Sequence, residues 1–201
     1  MKKRFYAVAL ACSALLSACA IGGKSGSATL YDLGPLHAQP VPTGLPPLPA
    51  VSIAGVQVPV WLDSSMIFYR LHYANAQQPR PYAQARWTMT PAQLLTQHLK
   101  ARIVQAGGVA LAASDGAIDV PVLRIEADDF TQHFTAPAES AGQVALRASL
   151  FRGRALVAQK SFIRRAPATS ADAGGGAAAL AAASDAAIAD IIQWLQGLPL
   201  K

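Results

Sequence analysis

Both cysteines of this 201-residue chain, Cys12 and Cys19, lie among its first twenty residues. The rest of the chain therefore has no thiol for a disulfide, a thiolate metal site or a cysteine nucleophile. Its fold must be stabilised by a hydrophobic core, and 52% of the residues are hydrophobic. Another 14% are charged, well below the roughly 25% of average soluble domains. This composition excludes a disordered chain and a charged coiled coil.

The N-terminus has the parts of a bacterial export signal. Three basic residues at 2–4 precede an apolar run at 5–16, which leads into Leu-Ser-Ala-Cys at 16–19. The run is shorter than the about 20 residues that a transmembrane helix needs. The pattern predicts a lipoprotein signal peptide at residues 1–18 and lipid attachment at the thiol of Cys19.

An ordinary signal peptidase site is the alternative interpretation of the same segment. Ala18-Cys19-Ala20 fits its A-x-A pattern, and cleavage there would release a periplasmic protein that begins at Ile21. Leu16, three residues before the cysteine, has no role in this alternative. Its presence favours lipid attachment.

A covalent diacylglyceryl and N-acyl lipid on Cys19 is the one cofactor that the sequence predicts. Two or three acyl chains hold a protein on a bilayer far more firmly than one chain does. Ala20 stands where an aspartate would retain a lipoprotein in the inner membrane of enteric-type bacteria. We therefore expect the periplasmic face of the outer membrane, with a periplasmic domain anchored to the inner membrane as the alternative.

The mature chain divides into a tether at residues 19–50 and a domain at residues 51–201. The tether is predicted to contain a short strand at 28–33 and a segment at 35–49 that holds six prolines. Prolines favour an extended polyproline II linker. They are equally consistent with a strap packed on the domain, because proline fixes local geometry but not docking.

Periodicity within the domain predicts both helices and strands. Thr90-Pro91-Ala92-Gln93 is a capping box that starts a helix ending before Gly107-Gly108, and residues 177–196 carry an apolar helical stripe. Period-two alternation predicts six further strands, at residues 51–60 with a bulge at Gly55, 66–73, 109–112, 120–134, 143–150 and 155–163. The last two form a hairpin, and loops are predicted at residues 75–82 and 166–176.

The chain carries no motif that indicates catalysis. Its sequence has no G-x-S-x-G nucleophile elbow, no P-loop, no dinucleotide fingerprint and no H-E-x-x-H zinc motif. The histidines are scattered over predicted linker, strands and helix, which argues against a metal site; they are His37, His72, His98 and His133. Three of the six net positive charges lie in the predicted signal, and the +3 that remains does not indicate a nucleic-acid partner.

Acidic residues cluster at one place in the chain. Glu126, Asp128 and Asp129 follow one another on a predicted strand. Alternation puts Glu126 and Asp128 on one face near Arg124, which favours a solvated ladder of charges over an acid/base pair.

Several short segments occur in a distinctive order after the lipobox. They are Leu30-Tyr31-Asp32-Leu33, Val56-Gln57-Val58-Pro59-Val60-Trp61-Leu62-Asp63, a strand ending near Arg70, and Arg86-Trp87 before the capped helix. In this order they resemble the ABC-type transport auxiliary lipoprotein family, which includes the paraquat-inducible protein C-like lipoproteins. The resemblance covers most of the mature chain. It departs from the family at Thr88-Met89-Thr90, where a more acidic lead-in is expected, and at Trp61, where tyrosine is commoner.

The resemblance implies a mixed α/β fold, with one twisted mixed sheet of about five to six strands and two main helices packed on it, similar to the N-terminal domain of TolB. It implies no enzymatic activity. The implied partners are an ABC permease and ATPase and an MCE-domain protein, which move phospholipid or other hydrophobic cargo between the inner and outer membranes. The chain would be a docking or receiving subunit, and homo-oligomerisation stays open.

The predicted docking surface is the strand at 66–73 with the turn before it. Its partner-binding residues are predicted to be Trp61, Asp63, Phe68 and Arg70. Asp63 and Arg70 flank the turn and could pair across it, a contact worth about 0–1 kcal/mol if exposed; the functional alternative is contact with a partner. The alternative function is a structural envelope lipoprotein that binds or activates a cell-wall or Tol-type partner.

Overall fold

The computed structural model describes residues 27–36 and 47–199. These residues form one mixed sheet of eight strands and two α-helices. The strands are β1 (Thr29–Tyr31), β2 (Val51–Gln57), β3 (Met66–Leu71), β4 (Asn75–Trp87), β5 (Ala110–Ala112), β6 (Val122–Ala136), β7 (Glu139–Arg152) and β8 (Ala155–Pro167). The helices are α1 (Pro91–Gln105) and α2 (Ala173–Gln196), and short 3-10 helices span Val60–Leu62 and Ala113–Asp115.

β6 is the central strand, because it pairs with three other strands, two along one edge and one along the other. On one edge, β2 pairs in parallel with its first half and β3 pairs in parallel with its last residues. On the other edge, β7 runs antiparallel along almost the whole strand and continues into the β7–β8 hairpin. Beyond the first edge, β3 pairs with β4 and β4 with β1, while β2 pairs with β5, which gives the strand order β1-β4-β3-β6-β2-β5.

The mixed α/β fold with two main helices is confirmed. The family resemblance implied five to six strands, and the sheet has eight. The strands predicted at 28–33 and 109–112 both join it, as β1 and β5, and β4 occupies a segment that was in part predicted as a loop. The predicted bulge at Gly55 is also present, since the pairing of β2 with β6 shifts register between Ala54 and Gln57.

The prediction of a loop at residues 75–82 is wrong. These residues form the first part of β4, which pairs with β3 in an antiparallel hairpin. Proline is normally excluded from central strands, because it has no N–H to donate. On its other side, however, β4 is covered by β1 at residues 85–87 alone. Pro79 and Pro81 therefore lie on an open stretch of edge, where strands tolerate proline.

Helix α1 begins as predicted. The N–H of Gln93 donates to Thr90 Oγ1 at 3.4 Å and the N–H of Thr90 donates to Gln93 Oε1 at 3.2 Å, which completes the capping box. Pro91 occupies the first helical position, where a missing N–H costs nothing. Beyond the last turn, Gly107 takes a φ of 81°, a left-handed conformation that glycine adopts without strain.

Helix α2 begins at Ala173, four residues earlier than predicted. Asp172 caps it by accepting a hydrogen bond from the N–H of Gly175 at 2.8 Å. Glycines in the first turn lower helix propensity, but they allow a close approach to the sheet: a Cβ on Gly176 would lie 2.0 Å from Gln132 Oε1. Tertiary packing therefore extends the helix into a segment whose composition indicates a loop.

Among the described residues, α2 is the one helix that is long and apolar enough to cross a membrane. In the structure, 56% of its most apolar window is buried. The buried residues include Leu180, Ile188, Ile191 and Leu195, spaced as on the apolar side of an amphipathic helix. The helix therefore packs in the core of this domain.

Both helices cover the same face of the sheet. α2 crosses β7 so closely at Gly142 that a Cβ there would lie 2.5 Å from the backbone nitrogen of Leu180. Gly142 pairs with Gln132 on β6, and Gln132 also faces α2. Because side chains alternate between faces along a strand, the neighbouring residues His133 and Gln143 point the other way. We call this second side of the sheet the helix-free face.

Helix α1 is joined to α2 by a cluster of charged side chains. His98 Nε2 lies 2.5 Å from Asp185 Oδ1, and Arg102 Nη2 lies 2.7 Å from Asp185 Oδ2. The side chain of Arg102 is 3% exposed, so Asp185 pairs a cation that would be costly to bury alone. His98 thus has a structural role in the helix interface.

The segment before β2 takes part in the fold at both of its described ends. β1 pairs with β4 in parallel register, and Leu33 and Leu48 are each 7% exposed and belong to the core. Residues 37–46, which hold much of the Pro-rich segment, lie outside the described residues, so the choice between linker and strap stays a prediction. Since β1 is already part of the sheet, residues 20–28 are the chain that separates Cys19 from the fold, and they span at most about 35 Å.

Candidate docking surface

Three of the four predicted docking residues meet on the helix-free face. Trp61 lies in the 3-10 helix between β2 and β3, while Phe68 and Arg70 alternate along β3. The rings of Trp61 and Phe68 pack edge to face with centroids 5.3 Å apart. The guanidinium carbon of Arg70 lies 5.2 Å from the centroid of the Trp61 ring, a cation–π geometry.

Asp63 does not join this cluster. It is exposed at the end of the 3-10 helix, and the described structure contains no ion pair between Asp63 and Arg70. The pairing across the turn is therefore not formed: Arg70 lies over the Trp61 ring instead, and its Nη1 donates to the carbonyl oxygen of Ala76 at 3.0 Å. The two residues are close in sequence because both flank the turn. The position of the Arg70 guanidinium, however, is set by its contact with the Trp61 ring.

Burial separates the roles of the clustered residues. Phe68 is 9% exposed and belongs to the core, so it supports Trp61 from below and offers little surface to a partner. Trp61 and Arg70 are partly exposed. The surface that a partner could contact is therefore formed by the exposed parts of the Trp61 indole and the Arg70 guanidinium.

A second polar cluster adjoins Arg70 on the same face. Arg70 pairs in register with His133 on β6, and the ring of His72 stacks on that of His133 with centroids 4.4 Å apart. His133 Nε2 lies 2.9 Å from Asp129 Oδ2. Asp129 also accepts hydrogen bonds from Thr131 Oγ1 and Gln143 Nε2, each at 2.6 Å.

The surroundings of Asp129 and His72 lower the pKa of both side chains. Burial raises the pKa of Asp129, but hydrogen bonds from His133, Thr131 and Gln143 outweigh burial and lower it below its ordinary value. Desolvation lowers the pKa of His72, and the nearby charges of His133, Arg165 and Arg70 lower it further, against an opposing effect of Asp129. His72 is therefore expected to stay neutral to a lower pH than a free histidine.

The pKa of His72 should be measurable by NMR titration of its ring protons, with a value below 6.5. An Arg165→Gln substitution removes one of the neighbouring positive charges and should raise this pKa. In the wild-type protein, a lowered pKa means that His72 binds a proton more readily in the unfolded chain than in the folded one. The His72 contribution to folding stability should therefore decrease as pH falls through 6.5. The matched control is Arg164→Gln, because Arg164 pairs with Asp190. A pKa of His72 that responds equally to both substitutions would contradict the assigned geometry.

The sequence predicted the exposed ladder of acidic residues correctly but not its basic partner. Glu126 and Asp128 do form an exposed ladder, but their partner is Arg147 on β7, whose Nη2 lies 2.5 Å from Glu126 Oε2 and 3.4 Å from Asp128 Oδ1. Arg124 lies over the ring of Phe151 instead, with its guanidinium carbon 4.6 Å from the centroid. A register shift after residue 127 separates Asp129 from this ladder.

The His72–His133 pair was missed because its members lie on different strands. The signal available in the sequence was that His72 shares the period-two face of Phe68 and Arg70. What brings His133 beside it is the parallel register of β3 and β6, which joins segments about sixty residues apart. Within residues 27–36 and 47–199, no group of three or more histidine, cysteine or acidic residues could hold a metal ion.

Comparison with known proteins identifies the class and then the family. A protein from Xanthomonas campestris of the DUF330 family has the same fold, with a TM-score of 0.71 over 84% of this chain and 95% of its own, at 21% identity. A second solved structure, an uncharacterized protein, gives a TM-score of 0.65 over 84% of this chain and 99% of its own, at 16% identity. The fold is therefore one that other proteins of similar length adopt in full.

The model of the ABC-type transport auxiliary lipoprotein component family matches residues 31–192. This chain belongs to that family, and the resemblance inferred from its short segments is confirmed. It is an auxiliary lipoprotein of ABC-type transport, a class anchored in the cell envelope. No curated protein matches the sequence.

Proposed function

We propose that this chain is the non-catalytic docking subunit of an ABC/MCE-type transport system. Acyl chains on Cys19 anchor it to the periplasmic face of the outer membrane. There its helix-free face receives the periplasmic end of an MCE-domain protein, whose ABC permease and ATPase drive phospholipid or other hydrophobic cargo between the two membranes. An inner-membrane anchor with a periplasmic domain is the alternative location.

Membership of the auxiliary lipoprotein family carries this proposal, because it supplies the link to ABC-type transport. The lipobox at residues 16–19 supports the anchor. The short chain between Cys19 and β1 supports a role at the membrane, since at most about 35 Å of extended chain keeps the domain close to the membrane that holds Cys19. The domain stays at its own membrane, and the partner must come to it.

The surface around Trp61 and Arg70 supports docking to a protein. Tryptophan and arginine are the residue types that most often dominate the energy of protein interfaces. Here Phe68 and the backbone carbonyl of Ala76 hold both side chains in place, so little conformational entropy is lost when a partner binds.

Site-specific photo-crosslinking in cells tests this function. A photoreactive amino acid at Asp63 lies beside Trp61, and Asp63 is exposed, so the substitution should leave the fold intact. We expect it to crosslink to an MCE-domain protein. Adding a Trp61→Ala substitution should reduce the yield several-fold, because removing an interface anchor typically costs about 2 kcal/mol or more of binding energy.

The matched control places the same photoreactive residue at Val104 of α1, which is 59% exposed on the helix-covered side. No MCE crosslink is expected from that position. Crosslinks from position 63 to cell-wall synthesis enzymes or to Tol-type components would instead support the structural envelope lipoprotein. MCE crosslinks from 104 and none from 63 would show that the partner docks on the helix-covered side.

A further inference from the structure

The last strand of the sheet, β8, has one open edge. It pairs with β7 along one side, and no described strand pairs with its other side. β8 is 13 residues long, which corresponds to about 43 Å of extended chain. The backbone N–H and C=O groups that point away from β7 are available to a further strand.

The other open edges of the described sheet are short or interrupted. β1 and β5 have three residues each, and the uncovered part of β4 holds Pro79 and Pro81, which cannot donate to a neighbour. In β8 the one proline is the last residue, Pro167. β8 also exposes large apolar side chains, with Leu156 and Ile163 at 53% and 63% exposure.

A groove of about 560 Å³ lies between β8 and α2. Phe162 and Trp194 form its apolar wall, packed edge to face with ring centroids 5.9 Å apart. Lys160 lies beside them, with its Nζ 5.4 Å from the centroid of the Phe162 ring. A strand added to β8 would therefore place alternate side chains against an aromatic wall and a cation.

The charges of β8 all have one sign. The strand contains Lys160, Arg164 and Arg165 and no acidic residue. Arg164 is paired, since its Nε lies 2.5 Å from Asp190 Oδ2. Arg165 donates a hydrogen bond to the neutral Gln143, and neither Lys160 nor Arg165 forms an ion pair with a described residue. Two cations of the edge therefore lack carboxylate partners within the described structure.

We propose that β8 binds an acidic, extended segment of a protein partner by β-augmentation. The segment pairs its backbone with the open edge. On the helix-covered side, one carboxylate faces Lys160 and an apolar side chain enters the groove at Phe162 and Trp194. Arg165 points to the helix-free side, where it faces a second carboxylate. A second copy of this chain is a poorer occupant, because two β8 edges would bring only cations into the joined ribbon. The site is separate from Trp61 and does not depend on the proposed transport function.

A designed peptide provides the test. The probe is a ten-residue peptide with blocked ends, added to the purified mature protein. It carries two glutamates five positions apart, so that they face opposite sides of the sheet, and a valine between them, two positions from the first glutamate. We expect amide hydrogen exchange to slow within residues 155–167 and to stay unchanged in β5. Lys160→Glu combined with Arg165→Glu should weaken binding about tenfold, because it turns two attractive cross-strand charge pairs into repulsive ones.

The control changes net charge by the same amount elsewhere: Lys100→Glu on α1 combined with Arg80→Glu on β4 should leave affinity within about twofold. Lysine in place of glutamate in the peptide should abolish binding. The proposal is overturned if the peptide does not slow exchange in β8, or if the control pair weakens binding as much as the β8 pair. It is also overturned if β8 amides of the free protein are protected in a concentration-dependent dimer, which would make a second copy the occupant.

Discussion

Replacing Cys19 with serine is expected to abolish lipid attachment completely. The diacylglyceryl group is held through a thioether, which a serine hydroxyl cannot form. Cells fed an alkyne analogue of palmitate should therefore label the wild-type protein and leave the Cys19→Ser variant unlabelled. Cys12→Ser is the matched control, because it makes the same substitution within the apolar run of the signal and should label like the wild type.

The size of this effect follows from the physics of membrane anchoring. Each buried methylene contributes about 0.8 kcal/mol, and a single acyl chain gives only marginal binding, while two or more hold a protein stably. Mass spectrometry of the native wild-type protein should find Cys19 as its acylated first residue. An unmodified protein that begins at Ile21 and is recovered in the soluble periplasmic fraction would show that Ala18-Cys19-Ala20 is an ordinary cleavage site, and would remove the anchor from the proposed function.

Features that depend on local chemistry could be predicted from the sequence. The capping box of Thr90 and Gln93 involves residues within one turn, so the start of α1 follows from four residues. The β7–β8 hairpin is equally local, since alternation and one turn with Gly153 at φ 56° define it. The mixed fold followed from the family resemblance, and the helices and strands predicted from local patterns agree with it.

Features that depend on distant contacts could not be predicted in the same way. Pro79 and Pro81 indicate a loop unless it is known that β1 leaves that part of β4 uncovered. The first turn of α2 is rich in glycine, which argues against a helix from sequence alone, but in the structure it is helical and Gly176 lies against the Gln132 side chain of β6. In each case tertiary structure overrides a local preference.

The same limit applies to the candidate site. Period-two alternation placed Phe68 and Arg70 on one face, and this is confirmed. That Arg70 stacks on Trp61 instead of pairing with Asp63 depends on the path of the chain through the 3-10 helix between β2 and β3. The contact of His72 with His133 depends on strand register, which a single sequence does not reveal.

Substituting alanine for Gly142 should destabilise the domain by about 3 kcal/mol. A Cβ at this position would lie 2.5 Å from the nitrogen of Leu180 and 2.6 Å from the carbonyl carbon of Ala179. Both atoms belong to the backbone of α2, so no side-chain rotation can relieve the collision. The helix must move off β7, and overpacking a close-packed interior in this way costs about 1–3 kcal/mol or more.

Gly55→Ala separates this steric effect from the general effect of removing a strand glycine. Gly55 lies in β2, and a Cβ there would meet Thr96 Oγ1 at an ordinary 3.8 Å, so its stability should change by less than about 1 kcal/mol. Urea unfolding of both variants gives the comparison, and the melting temperature of Gly142→Ala should fall by about 6–12 °C. Equal stability of the two variants would mean that α2 does not approach β7 closely at Gly142. The helix-covered face, and with it the assignment of the opposite face to docking, would then need to be redrawn.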